Sequence, residues 1–202
     1  MSKISIITLV MFLGFNTTVV AKNFKSTLLP NLSFELPDKF EQNEQIVINE
    51  MGRLQKVAPD IYKLMETLGT QQEAYADPSI GDVSKNNIFF SARKLKNEEY
   101  YEVKSNQMAQ NVCQMMTMSV KKIYNVQKNL QTYKCYKMKY PDGAKWGLYQ
   151  ELEHPDFDGR YIYMLFIDQN LNEIGAAVNC EFKNCNKLRL YMANMIKSLK
   201  YN

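Results

Sequence analysis

The chain has 202 residues, of which 46% are hydrophobic and 23% charged, and its 25 Lys and Arg against 21 Asp and Glu give a formal net charge of +4. These proportions exclude a disordered, collagen-like or polytopic membrane chain and fit one globular domain. The positive surplus is mild and no basic run occurs, so nucleic acid is not an expected partner.

Residues 1–21 read as a cleaved signal peptide. Lys3 supplies a positive start, Ile4 to Phe15 an apolar stretch, and Val19 with Ala21 a small-residue cleavage site. Residues 22–202 then form a single domain with no later apolar stretch long enough to span a bilayer, which places the mature protein in the periplasm or outside the cell. All four cysteines, Cys113, Cys135, Cys180 and Cys185, lie in this part. An even count in an exported chain favours disulfides, and of the three possible connectivities the pairs Cys113 with Cys135 and Cys180 with Cys185 join neighbours in the chain.

After a polar lead, Leu32, Phe34 and Leu36 alternate with polar residues up to Pro37, the pattern of a short edge strand. From Glu44 to Gly69 the spacing is helical, with Val47, Met51, Leu54 and Ala58 on one stripe and Ile61, Leu64, Met65 and Leu68 on another, broken by Pro59. Thr70 to Asn87 has no period and holds Pro78 and Gly81, so it reads as a long loop of the kind that often carries function. Ile88 to Leu95 follows as a strand. A helix then starts after Ser105 or Asn106 and runs to about Tyr124, with Ala109, Val112, Cys113, Met116, Val120 and Ile123 on one face.

Four strand-like runs come next: Gln131 to Tyr140, Lys145 to Glu153, Arg160 to Asp168 and Glu173 to Phe182. Their short Pro-, Gly- and Asn-containing links imply antiparallel hairpins. The run from Tyr161 to Ile167 is apolar on both faces, as a central covered strand would be. A closing helix from Asn186 to about Lys200 carries Leu188, Tyr191, Met192, Met195, Ile196 and Leu199 on one stripe. The fold class is therefore α+β, an antiparallel β-meander sheet packed against α-helices, including a C-terminal amphipathic helix. This order of a strand ending in Leu36-Pro37, a helical stretch, a meander and a final helix resembles the architecture of exported domains built like the photosystem protein PsbP. The resemblance rests on element order, and no residue or activity follows from it.

Chemistry-bearing residues are few. His154, the single histidine, lies in a turn with Glu151, Glu153, Asp156 and Asp158; an acidic rim on a hairpin accounts for them, and a metal-dependent hydrolase is the alternative. No nucleophile elbow is present and the cysteines occupy packing or disulfide positions, so no catalytic residue, metal or cofactor is expected. Met108, Met115, Met116 and Met118 on one helix suit adaptable packing or a contact surface. The stretch from Thr132 to Tyr140 interleaves Tyr133, Tyr136 and Tyr140 with Lys134, Lys137 and Lys139, as on a lysine-protected edge strand that could grip a protein. The expected function is an exported, non-enzymatic protein-binding module, such as an immunity or inhibitor protein or an envelope assembly factor. Its binding residues are expected among Tyr133, Tyr136, Lys137 and Tyr140, with Tyr75 and Asp77 on the long loop. A carrier for a small apolar ligand, held between the final helix and the sheet, is a further alternative.

Overall fold

A computed structural model describes residues 20–29, 31–97, 102–138 and 146–201. The expected leader thus lies outside the described residues apart from Val20 and Ala21, and Tyr140 lies outside them as well. No helix among the described residues is long and apolar enough to cross a membrane.

Among the described residues, ten strands and four α-helices follow in the order β1 (Ala21–Lys25), β2 (Leu32–Pro37), β3 (Glu41–Gln42), α1 (Glu44–Val57), α2 (Pro59–Thr67), β4 (Gln71–Ala76), β5 (Asn87–Lys94), α3 (Asn106–Ile123), β6 (Thr132–Met138), β7 (Trp146–Glu153), β8 (Gly159–Ile167), β9 (Asn172–Glu181), α4 (Phe182–Lys197) and β10 (Lys200–Tyr201). Seven strands make one antiparallel sheet in the order β3-β4-β5-β9-β8-β7-β6. A second sheet, β1-β2-β10, lies on the side of α4. The antiparallel sheet packed with helices, the last of them C-terminal, is the α+β class read from the sequence.

Alternation in the strands feeds two dry faces. Ile88, Phe90, Ile162, Ile174, Ala176 and Val178 point one way, onto Leu188, Met192, Met195 and Ile196 of α4 and onto Phe34 of β2. Ala74, Phe89 and Ala177 point the other way, beneath Ile46 and Val47 of α1, while Leu148, Leu165 and Ile167 meet Ala109 and Cys113 of α3. The strand β8 is covered on both sides for this reason, as its two-faced apolar run required. Side-chain caps start α1 (Asn43 to the Ile46 amide) and α3 (Ser105 to the Met108 amide), and Gly69 takes a positive φ just beyond α2. Both expected disulfides form, Cys113 with Cys135 joining α3 to β6 and Cys180 with Cys185 joining β9 to α4.

Four expectations are corrected. The segment from Thr70 to Asn87 is not a long loop: Gln71–Ala76 is a strand between β3 and β5, and Pro78–Ile80 is a single 3₁₀ turn capped by Asp77. Its polar side chains hid it, because Glu73 is buried by partners that come mostly from a distant part of the chain. The Glu73 carboxylate accepts from the Ser26 hydroxyl at 3.0 Å, the Thr27 amide at 2.6 Å, the Thr27 hydroxyl at 2.7 Å and the Tyr75 hydroxyl at 3.0 Å. Next, β2 is the middle strand of its sheet, since the polar lead forms β1 on one side and the chain's end forms β10 on the other. Pro37 is tolerated because it closes the strand. Finally, α4 begins at Phe182, four positions before Asn186, and Leu64 of α2 is exposed, α2 packing chiefly on α1. Glu73→Gln puts an NH2 group where four donors converge, and we expect it to lower stability by about 2 kcal/mol in urea unfolding.

Candidate functional site

The strand β6 ends the seven-stranded sheet and pairs only with β7 among the described strands, so among the described residues its outer side is an edge without a strand partner. A bulge between Thr132 and Lys134 leaves Tyr133 as the extra residue. Its ring lies under the Arg160 guanidinium at 4.5 Å, and Arg160 is 5.5 Å from the ring of Phe182 at the start of α4. Beyond the bulge Tyr136 stacks on Tyr149 with ring centroids 5.0 Å apart, and the Tyr149 hydroxyl donates to Glu151 at 3.0 Å.

Glu151 is fully buried on this side of the sheet and gathers three cations: Arg160 is hydrogen-bonded to it, and Lys134 and Arg189 stand 3.8 Å away. Three cations around one carboxylate leave a local surplus of positive charge, partly exposed to solvent. Tyr136 and Phe182 are the exposed rings of the patch, at 44% and 42%. Tyrosine and arginine over a charged rim are the residues that carry interface energy most often. Glu151→Gln would release the cations into mutual repulsion, and a cost of about 1–2 kcal/mol, larger at low salt, is expected from thermal unfolding.

The other expected binding residues are dispersed. Lys137 pairs with Leu148, whose side chain meets α3, so Lys137 lies across the sheet from Tyr136. Tyr75 is wholly buried, edge-on to Phe24 at 5.2 Å and Phe34 at 5.3 Å, and burial beside Glu73 drives its phenol far above the ordinary tyrosine range. Asp77 is buried as the cap of the 3₁₀ turn, accepting from the amide and hydroxyl of Ser79. Both fall inside because their segment is strand and turn, so neither offers a surface to a partner. On α3, Met116 packs inward while Met108, Met115 and Met118 are exposed.

The turn holding His154 is not a polar rim throughout. The imidazole is 3% exposed, stacked on Phe157 at 3.6 Å and edge-on to Tyr124 at 5.3 Å. Its acidic neighbours scatter: Glu151 faces α4, Glu153 pairs with Lys128 at 2.7 Å, and Asp156 lies near Glu50 and Arg53 of α1. No group of three His, Cys, Asp or Glu among the described residues is placed to hold a metal. The convergence that a hydrolase reading needs is not what the turn provides. Phe157, an aromatic in an otherwise polar turn, was the signal in the sequence that this loop folds inward.

His154 instead reaches a cleft of about 470 Å³ between α1 and the sheet, whose walls include Asn49, Arg53, Asn87, Phe89, Tyr124 and Asn179. Burial holds the imidazole neutral, with a pKa lowered to about 4; Asn179 works against that shift, and Arg53 and Lys128 add to it. The layer between α4 and the sheet, where an apolar-ligand carrier would hold its cargo, is filled by Leu188, Met192, Met195 and Ile196.

No protein-family profile matches the chain, and no curated protein matches it. Among solved structures the chain is similar to the cyanobacterial PsbP of Synechocystis sp. PCC 6803, with a TM-score of 0.59 over 94% of this chain and 96% of that one, at 10% sequence identity. The likeness is one of fold. It bears out the PsbP-like element order and carries no residue of the edge patch or the cleft with it.

Proposed function

We propose that this protein is an exported, non-enzymatic binding module, periplasmic or secreted, that docks an acidic segment of another protein along β6. The observation that carries the reading is the open edge flanked by Tyr133, Tyr136 and Phe182 over the cations Lys134, Arg160 and Arg189. The edge offers backbone pairing to an extended strand, and the cations favour carboxylates in the residues that alternate toward them. Two disulfides support an oxidising compartment. An immunity or inhibitor protein and an envelope assembly factor would both act in this way.

A photo-crosslinking residue at position 136, in the mature chain expressed in its own cells, tests the reading. The expected product is one acidic partner whose yield falls with rising salt and with Arg189→Glu. Tyr136→Ala should weaken the purified complex by about 1–2 kcal/mol. Crosslinking indifferent to charge reversal would sink the proposal.

A further inference from the structure

The cleft beside α1 is chemically unlike the β6 patch and lies on the other face of the sheet. At its floor, two buried polar atoms close no well-formed hydrogen bond among the described residues: Nε2 of His154 and Oδ1 of Asn179, in side chains 3% and 6% exposed, which lie near enough to influence each other without closing into a bond. Buried polar groups are ordinarily paired, since an unmade bond costs about 1–3 kcal/mol. Two orphans lining one cavity are therefore a functional signal.

Their polarity is fixed by their neighbours. The Asp156 amide donates to Nδ1 of His154 at 3.2 Å, so in the neutral ring Nε2 carries the proton and is a donor. Asn87 spends its NH2 on the carbonyls of Val83 at 2.8 Å and Ser84 at 3.3 Å, which turns its Oδ1 toward Asn179. The Asn179 NH2 donates to that oxygen at 3.3 Å, leaving the Asn179 carbonyl oxygen as a free acceptor. The floor thus presents one donor and one acceptor.

The charges in the walls are already engaged. Arg53 is paired with Glu50, donates to the Ile123 carbonyl at 2.7 Å and lies 3.9 Å over the ring of Tyr124; Lys85 stands 3.9 Å from Asp82. Asp156 is desolvated, and its carboxyl is raised above the usual range. A charged guest would therefore exchange water for neutral dipoles. A carboxylate would also face the Asn179 oxygen, and an ammonium the His154 N–H. Behind the floor a recess of about 100 Å³ continues the cavity between Met51, Leu54, Met65, Val120 and Tyr161.

We propose that this cleft binds a small neutral molecule whose polar head both donates and accepts a hydrogen bond, as a carboxamide does, and whose apolar body enters the recess. The head pairs its carbonyl with His154 Nε2 and its N–H with Asn179 Oδ1. Nothing in this depends on a partner at β6.

The test uses the intact mature protein, labelled with 15N, titrated with benzamide, benzoate and benzylammonium, which share a ring and differ in the head. Benzamide is expected to move the amide resonances of Phe89, Phe157 and Asn179 and to bind at least about tenfold more tightly than either ion. Asn179→Leu and His154→Phe, each checked for an intact thermal transition, should each bring benzamide down to the level of the ions. Equal affinity for the three probes, shifts outside the cleft, or retained preference in both variants would overturn the proposal. If the two atoms serve only an ordered water, benzamide leaves the cleft resonances unmoved, and the proposal fails equally.

Discussion

Replacing Cys113 and Cys135 together by alanine is expected to lower the unfolding free energy by about 3 kcal/mol. The bridge closes a segment of sequence separation 22 and ties α3 to the edge strand β6. Loop-closure entropy grows with the logarithm of the enclosed length, so the second bridge, with a separation of 5, should contribute less, about 2 kcal/mol. Packing works against the difference, because Cys180 and Cys185 are both buried in the core under α4, whereas in the first bridge Cys113 is buried and Cys135 only partly so. Urea midpoints of the two double variants, measured side by side, decide the matter. A larger loss from the Cys180–Cys185 pair would show that native contacts and not chain closure set the ranking. Loosening α3 should also free β6 and weaken any partner held there.

Acidification from pH 7 to pH 4 should cost about 3 kcal/mol through His154 alone, or about 6–12 °C in Tm for a chain of this size. In the unfolded chain the imidazole titrates near its model value of 6.5, whereas in the folded protein burial lowers it to about 4. Between these values the unfolded state binds the extra proton, so stability is full above the unfolded pKa and drains away as pH falls through the window. Asp156 acts in the opposite direction, because its raised carboxyl takes up a proton more readily in the folded state. The contribution of His154 is therefore read as a difference between wild type and His154→Phe, a variant that keeps an aromatic ring against Phe157 and Tyr124. The gap between their melting temperatures should move in favour of the variant as pH drops. A gap that stays constant from pH 7 to pH 4 would show that the ring is protonated without penalty, and hence hydrated.

The second half of the chain was legible because its turn chemistry is explicit. Pro, Asn and Gly separate runs long enough to be only strands, and the two-faced apolar run of β8 announced its central place. Both disulfides followed from chain proximity. The strand β4 escaped notice because Gln71, Gln72 and Glu73 show no alternation; its strand state comes from partners on either side and from the donors to Glu73, of which Ser26 and Thr27 are distant in sequence. The same distance effect hid β1 and β10, which are strands only because β2 lies between them. In the docking patch, Tyr133 and Tyr136 could be singled out as candidates, but Arg160, Arg189, Glu151 and Phe182 come from three other elements. No spacing rule joins them. The cleft was harder still, since its floor combines a turn residue with Asn179, which lies between Val178 and Cys180 near the end of β9. That asparagine was the trace it left.

The small sheet has a mechanical meaning. Ala21 sits opposite Pro37 at one end of β2, while Tyr201 sits opposite Leu32 at the other, and both outer strands run in the same direction. Tension between the two ends of the folded domain therefore runs along β2 in opposite senses. The five β1–β2 pairs are loaded all at once in shear and do not peel one by one. A protein tethered by one end and pulled through the other would resist at this small sheet and then yield abruptly.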